Sequence, residues 1–165
     1  MEAIRRKLMQ QPDWQKEHDM ASAVAKDHFG HPRGYDVGYV FPDSVALSYR
    51  RTCCNAGVHR HSQAGIVGTL EKGAFSIVVS DKYEDDQDLG YTMQVPARRS
   101  QQVEDQDMER RENAALKTSH EKGRPIRVIR SLKYGRGYDG LYRVMEAKEV
   151  KGKSGYKICQ FVLVA

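Results

Sequence analysis

No apolar run in the 165-residue chain approaches the roughly 20 residues needed to cross a bilayer, and the opening MEAIRRKLMQQPDWQKEHD lacks the apolar stretch of a secretory signal. A soluble, intracellular protein with no membrane partner is expected. Cysteine is scarce: Cys53, Cys54 and Cys159 cannot all pair, and the first two are adjacent rather than spaced as C-x-x-C. That excludes a disulfide framework. His59 and His61 stand one residue apart and would share a side of a strand, but no cysteine or carboxylate motif completes a ligand set beside them. A turn carrying two polar imidazoles is expected, with no metal and no cofactor. Internal repeats and low-complexity linkers are also missing, and the length suits one domain with a terminal extension rather than two cores.

What is present favours a folded domain: 39% of residues are hydrophobic and 30% charged, enough to bury a core and keep the surface solvated. The formal net charge of +5 is compatible with a polyanionic partner without establishing one. Its distribution is uneven. From Arg124 to Lys153 there are nine basic residues against three acidic ones, whereas DKYEDDQD (Asp81 to Asp88) holds five carboxylates and one lysine.

The first 27 residues contain no glycine, carry Ile4, Leu8, Met20 and Val24 at helix-like spacing, and have Pro12 and Asp13 where a second helix would start. They read as a helical extension, residues 1–27. Beyond it, the turn-rich FGHPRGYDVG leads into short runs rich in Val, Ile, Tyr and Phe: GYVF, VALSYR, AGIVG, GAFSIVVS, RPIRVIRSL, GLYRVMEAKEV and YKICQFVLV. So many short strands suggest a barrel or sandwich. Gln101 to Ser119 lacks glycine and proline, and Val103, Met108, Ala115 and Leu116 make an apolar stripe, predicting one amphipathic helix. The class is α+β, with the main domain over residues 28–165.

Four segments taken together carry a specific signal: FGHPRGYDVG, NAGVHRHSQAGIVG, GAFSIVVSDKYEDDQDLGYT and KGRPIRVIRSLKYGRGYDGLYRV, followed by KGKSGY. In order and spacing they resemble the SET- and RING-associated (SRA, or YDG) domain. That resemblance implies a twisted β-barrel of PUA-like type with flanking helices. It also implies double-stranded DNA containing 5-methylcytosine as partner, the target base being rotated out of the stack. It further implies the nucleus as location, with a DNA methyltransferase or chromatin factors as protein partners. No RING pattern, methyltransferase motif or histone-reading module is recognisable in the chain.

A flipped cytosine presents two ring faces, a donating exocyclic amine and acceptors at N3 and O2, so its site needs flat aromatic walls, a carboxylate and backbone donors. By the motif match, Tyr83 and Tyr91 sandwich the base, Asp86 accepts from N4, and Thr92 closes the pocket at the base edge. Thymine offers O4 where cytosine offers its amine, and a carboxylate there rejects it. Burying one methyl contributes about 0.8 kcal/mol, whereas an unpaired buried polar group costs about 1 to 3 kcal/mol. Base identity is thus read more sharply than methylation.

Groove contacts are expected from His61, Ser62, Gln63 and Ala64 on one loop, and from Arg98 and Arg99 on the other. Gln63 stands where family members carry a small apolar wedge. The second loop is compressed to MQVPARRS, and Asp81 and Lys82 replace the glycine pair that usually precedes YEDD. Phosphate contacts are expected from Arg124, Arg127, Lys133, Arg136, Lys151 and Lys153, on a shared side. Two other readings use the same residues. Asp139, Glu149 and Lys151 echo the carboxylate and Glu-x-Lys set of metal-dependent nucleases. Alternatively, YEDD is a surface turn on a general nucleic-acid-binding barrel. The expectation adopted is a reader that is not an enzyme.

Overall fold

The computed structural model describes residues 28–32, 34–42, 57–60, 64–79, 87–88, 92–96, 104–133 and 135–165. The expected extension (residues 1–27) and the VALSYR strand lie outside them.

Runs rich in Val, Ile, Tyr and Phe produce the sheet. Among the described residues eight strands, β1 (Val40–Pro42), β2 (Ile66–Thr69), β3 (Gly73–Val79), β4 (Gln87–Asp88), β5 (Thr92–Pro96), β6 (Ile126–Leu132), β7 (Gly135–Lys151) and β8 (Lys157–Val164), accompany one helix, α1 (Arg111–Lys122). The α+β class is as expected, and the sheet runs β2-β3-β6-β7-β8-β5-β4 with β1 on β7. Among the described residues the sheet is open: β2 and β4 end the path rather than pairing to close the expected barrel. Among the described strands β3 and β6 alone pair in parallel; the crossover between them carries β4, β5 and α1.

Strand β7 changes partner midway, pairing with β6 up to Tyr142 and with β8 from Arg143 onward. The YDG motif lies inside this strand rather than in a turn. Val128 faces Gly140 and Ile129 faces Tyr138, so Asp139 is the extra residue of a β-bulge. Gly140 has φ +107°, a conformation that side chains rarely adopt. The bulge switches the side-chain parity of β7. Tyr138 enters a cluster with Phe41, Val58, Val78 and Ile129, while Tyr142 and Val144 enter the larger core with Ile126, Val128, Phe161 and Leu163.

Helix α1 covers the larger core through Ala115 and Leu116, both essentially inaccessible. Full burial of a leucine stabilises by about 1.5–3 kcal/mol. The helix approaches β3 closely at Gly73, where a Cβ would come within 2.5 Å of Ser119 Oγ; that hydroxyl accepts the Ala74 N–H at 2.8 Å. The helix begins later than Gln101. Asp105 and Gln106 instead stitch the preceding segment to β8: the Lys157 N–H donates to Asp105 Oδ1, and the Cys159 N–H to Gln106 Oε1. The Asp107 carboxylate then accepts the Glu109 N–H. Polar side chains that capture backbone groups compete with helix here, and the apolar stripe did not register that competition.

Candidate nucleic-acid interface

The acidic island runs into a hairpin. Gln87 pairs with Gln94 and Asp88 with Met93, and β5 then lies along β8 with Thr92 opposite Val164. Thr92 to Pro96, half of the expected second groove loop and its approach, is therefore strand. Of the base-pocket set, only the Thr92 backbone is described; Tyr83, Asp86 and Tyr91 lie outside the described residues. On the far side of Val164 sits Arg143 of β7, exposed and in the same cross-strand row. At about 4.8 Å per strand, Arg143 and Thr92 are separated by about 10 Å. Arg143 was not singled out from the sequence, because pairing between distant strands is what brings it to this row.

His59 precedes the first groove loop and is fully buried. Its Nε2 donates to the Ala64 carbonyl at 2.7 Å, and its Nδ1 lies 2.8 Å from Ser76 Oγ, which donates to it in the neutral ring. Both ring nitrogens are engaged within the fold, so His59 is a structural brace rather than a solvated turn imidazole. Among the described residues no group of three or more His, Cys, Asp or Glu side chains is arranged to hold a metal ion. Ala64, the one described member of the first groove loop, lines a cleft of about 210 Å³ between β2 and α1 with Ile66, Val67, Gly68, Arg111, Glu112 and Ala115. His61, Ser62, Gln63, Arg98 and Arg99 lie outside the described residues.

The expected phosphate contacts separate into different environments. Arg127 is 2% exposed, and its guanidinium donates to the carbonyls of Val58, His28 and Gly30 at 2.7–3.1 Å. It is a buried cross-link between β6 and the FGHPRG segment, and the phosphate assignment is corrected accordingly. Strand parity explains the burial: Ile126 and Val128 point into the larger core, and Arg127 and Ile129 to the other side. Arg124 is half-buried, stacks 4.8 Å from the Phe29 ring centroid, and donates to the Lys72 carbonyl. Lys133 is exposed in the turn before β7 and Arg136 is half-buried at its start; Lys151 is exposed at its other end and Lys153 in the turn beyond it.

The nuclease set is likewise dispersed. Asp139 Oδ2 receives Arg130 Nε at 2.9 Å and the Tyr142 hydroxyl at 2.6 Å, whereas Glu149 pairs with Lys157 at 3.2 Å. Asp139 and Glu149 are ten residues apart on β7, about 30 Å of extended backbone. Two carboxylates at that separation do not grip one ion. Burial, then the bond to Asp139, raises the Tyr142 phenol above its ordinary range. Burial also pushes Tyr138 up to about 12. The Tyr138 hydroxyl lies 2.7 Å from His31 Nδ1. Cys159, buried and without a disulfide, is pushed up to about 11, first by burial and then by the Glu149 charge. The thiol is a packing group in the larger core.

The sequence pattern of the SAD/SRA domain family matches residues 28–165. The chain is 31% identical over 173 residues to the E3 ubiquitin-protein ligase UHRF1 of Rattus norvegicus, 85% of the chain aligning with 22% of that protein. Among solved structures, a modification-dependent TagI restriction endonuclease superposes with a TM-score of 0.76 at 34% identity, over 86% of the chain and 53% of its own. The SRA domain of SUVH5 in complex with hemimethylated CG DNA superposes with a TM-score of 0.69 at 34% identity, over 83% of the chain and 92% of its own. The chain thus spans about a fifth of the rat protein, about half of the nuclease and nearly all of the SUVH5 domain.

Proposed function

The chain belongs to the SAD/SRA domain family, and from that premise we propose that it binds double-stranded DNA containing 5-methylcytosine, in CpG context, by drawing the modified base out of the stack. What supports the reading most is the likeness to an SRA domain solved with hemimethylated CG DNA, which extends over nearly all of that domain. The register adds a second support. Thr92 lies in β5, which pairs with β4 and β8 at one end of the sheet, so its backbone is held by strand pairing.

In this reading the rings of Tyr83 and Tyr91 stack on the two faces of the flipped cytosine. Stacking of about 1–3 kcal/mol per base offsets the few kcal/mol needed to extract it. Asp86 accepts from the N4 amine, and Thr92 closes the base edge. Arg143, in the Thr92 row, neutralises a phosphate next to the flipped nucleotide. Gln63 enters the groove and bonds the orphaned partner base, and Arg98 and Arg99 approach from the second loop. The module itself breaks no covalent bond; it works in the nucleus beside a DNA methyltransferase or chromatin factors.

Titration of duplexes that differ by a single cytosine methyl tests the proposal. Asp86→Ala is expected to lower affinity for the methylated duplex about tenfold, the worth of one buried polar partner, and to leave weak binding to unmethylated DNA in place. Equal affinities for methylated and unmethylated duplexes in the unmodified protein would sink it. The TagI likeness favours a second reading, in which the chain is the recognition part of a modification-dependent nuclease. Cleavage of methylated DNA by this chain with magnesium or manganese that disappears in Glu149→Ala would place the chemistry within this domain and overturn both readings.

A further inference from the structure

We infer that His59 is a positioning residue for the first groove loop, holding its two ends, Arg60 and Ala64, so that Gln63 meets the DNA beside the flipped base; this rests on the base-reading function proposed above. Both ends are pinned from one place in the sheet. On the entry side the Val58 carbonyl accepts from Arg127 Nε at 3.0 Å. On the exit side the Ala64 carbonyl accepts from His59 Nε2 at 2.7 Å, and the Gly65 carbonyl from the Val78 N–H at 2.7 Å. Ser76, whose hydroxyl lies 2.8 Å from His59 Nδ1, is the direct partner of Arg127 in the parallel pairing of β3 with β6. One cross-strand pair thus anchors the residues on either side of the loop.

The hydrogen bonds have a direction. A carbonyl can only accept, so His59 Nε2 carries the proton, and in the neutral ring Nδ1 accepts from the Ser76 hydroxyl. The order Ser76, His59, Ala64 fixes the ring and, with it, the point at which the loop returns to β2. Val58, His59 and Ser76 are all inaccessible to solvent. A hydrocarbon would fill such a site without giving up hydration, whereas an imidazole is tolerated there when its nitrogens are paired. Here one of those pairings serves a residue of the loop.

The brace acts on the loop and not on the sheet. From Ile66 onward β2 is registered on β3 by its own ladder, with Ile66 opposite Ile77 and Val67 opposite Ser76. Arg127 differs, because it also holds the His28 and Gly30 carbonyls and its loss reaches the FGHPRG segment. The His59 bond to Ala64 closes a span of five residues. Releasing it leaves the strand pairing in place and lets the ends of a short loop move apart. Hydrogen bonds weaken steeply with distance and angle, so a contact made from the loop is lost although His59 itself touches no DNA.

The experiment uses the full chain and duplexes carrying one methylated CpG, with 2-aminopurine stacked beside the modified cytosine so that its fluorescence rises when the base leaves the stack. Each variant is measured well below its thermal midpoint. His59→Leu is expected to lower affinity for the methylated duplex about tenfold and to shrink the fluorescence rise. Binding to the unmethylated duplex and the salt slope should match those of the unmodified protein, since no phosphate contact is removed. Ser76→Ala, which keeps the ring and removes one hydroxyl, is expected to show the same pattern at about threefold. In a Gln63→Ala background either change should cost less than about twofold, because both act through the same contact. If His59→Leu lowers the thermal midpoint alone, or costs as much in that background as in the unmodified protein, the inference is overturned while the base-reading function stands. Should His59→Leu fail to fold, Ser76→Ala decides by the same two criteria. Absence of methyl preference in the unmodified protein overturns both.

Discussion

The two halves of β7 contain basic residues and carboxylates at similar spacing, yet they use them oppositely. In the half paired with β6, Asp139 is held by Arg130 and Tyr142, and Arg127 of the neighbouring strand is sealed behind three backbone carbonyls. In the half paired with β8, Lys148 and Lys157 form exposed pairs with Glu146 and Glu149, and Lys151 stands at the turn. A buried cation needs its partners, because losing them leaves desolvated charge or orphaned acceptors. An exposed pair trades one set of water contacts for another and contributes about 0–1 kcal/mol. Basic residues clustered in sequence therefore report neither stability nor DNA binding until the strand pairing sorts them.

The contrast is broken most sharply at Arg127. Arg127→Met leaves the Val58, His28 and Gly30 carbonyls without their donor, at about 1–3 kcal/mol for each group that stays buried. The expected total is about 3 kcal/mol or more, a fall of about 10 °C in thermal midpoint for a chain of this size. Arg127→Lys should recover little, since one ammonium does not reproduce a planar fork of donors. A loss below about 1 kcal/mol would return Arg127 to the solvent-facing set.

An alkaline titration sharpens the same comparison, with one buried group on each side. Tyr138 moves from its ordinary 10.0 to about 12, and Cys159 from 9.0 to about 11. Over those intervals the folded state keeps protons that the unfolded chain has released, so stability falls as pH rises. It should be fully present below pH 9 and decline between 9 and 12. Cys159→Ala is expected to remove the decline that begins near 9, and Tyr138→Phe the part that begins near 10. Urea midpoints measured across this range check both. A decline unchanged in both variants would mean that other groups carry it.

The smallest effect belongs to Lys148→Ala, where the pair with Glu146 is exposed on both sides. Denaturation should place it within about 0.5 kcal/mol of the unmodified protein. A larger loss would show the outer half of β7 to be electrostatically organised in the same way as the inner half.

Local pattern accounts for much of the molecule. Short runs rich in Val, Ile, Tyr and Phe announced β2, β3, β6, β7 and β8, and the ordered GVHR, YEDD and YDG motifs pointed to the SAD/SRA family, which the match over residues 28–165 establishes. These are short-range properties: side-chain period, turn chemistry and motif spacing are written along the chain. Tertiary structure alone decided three other matters. Helix α1 begins at Arg111 because Asp105 and Gln106 find backbone partners on β8, some fifty residues away. Asp139 became a bulge because β6 supplies one residue where β7 supplies two. Arg127 left the solvent-facing set because three carbonyls from distant segments converge on it. In each case the deciding partner is remote in sequence, and a hydrogen bond or a strand register exists only once folding has brought both ends together.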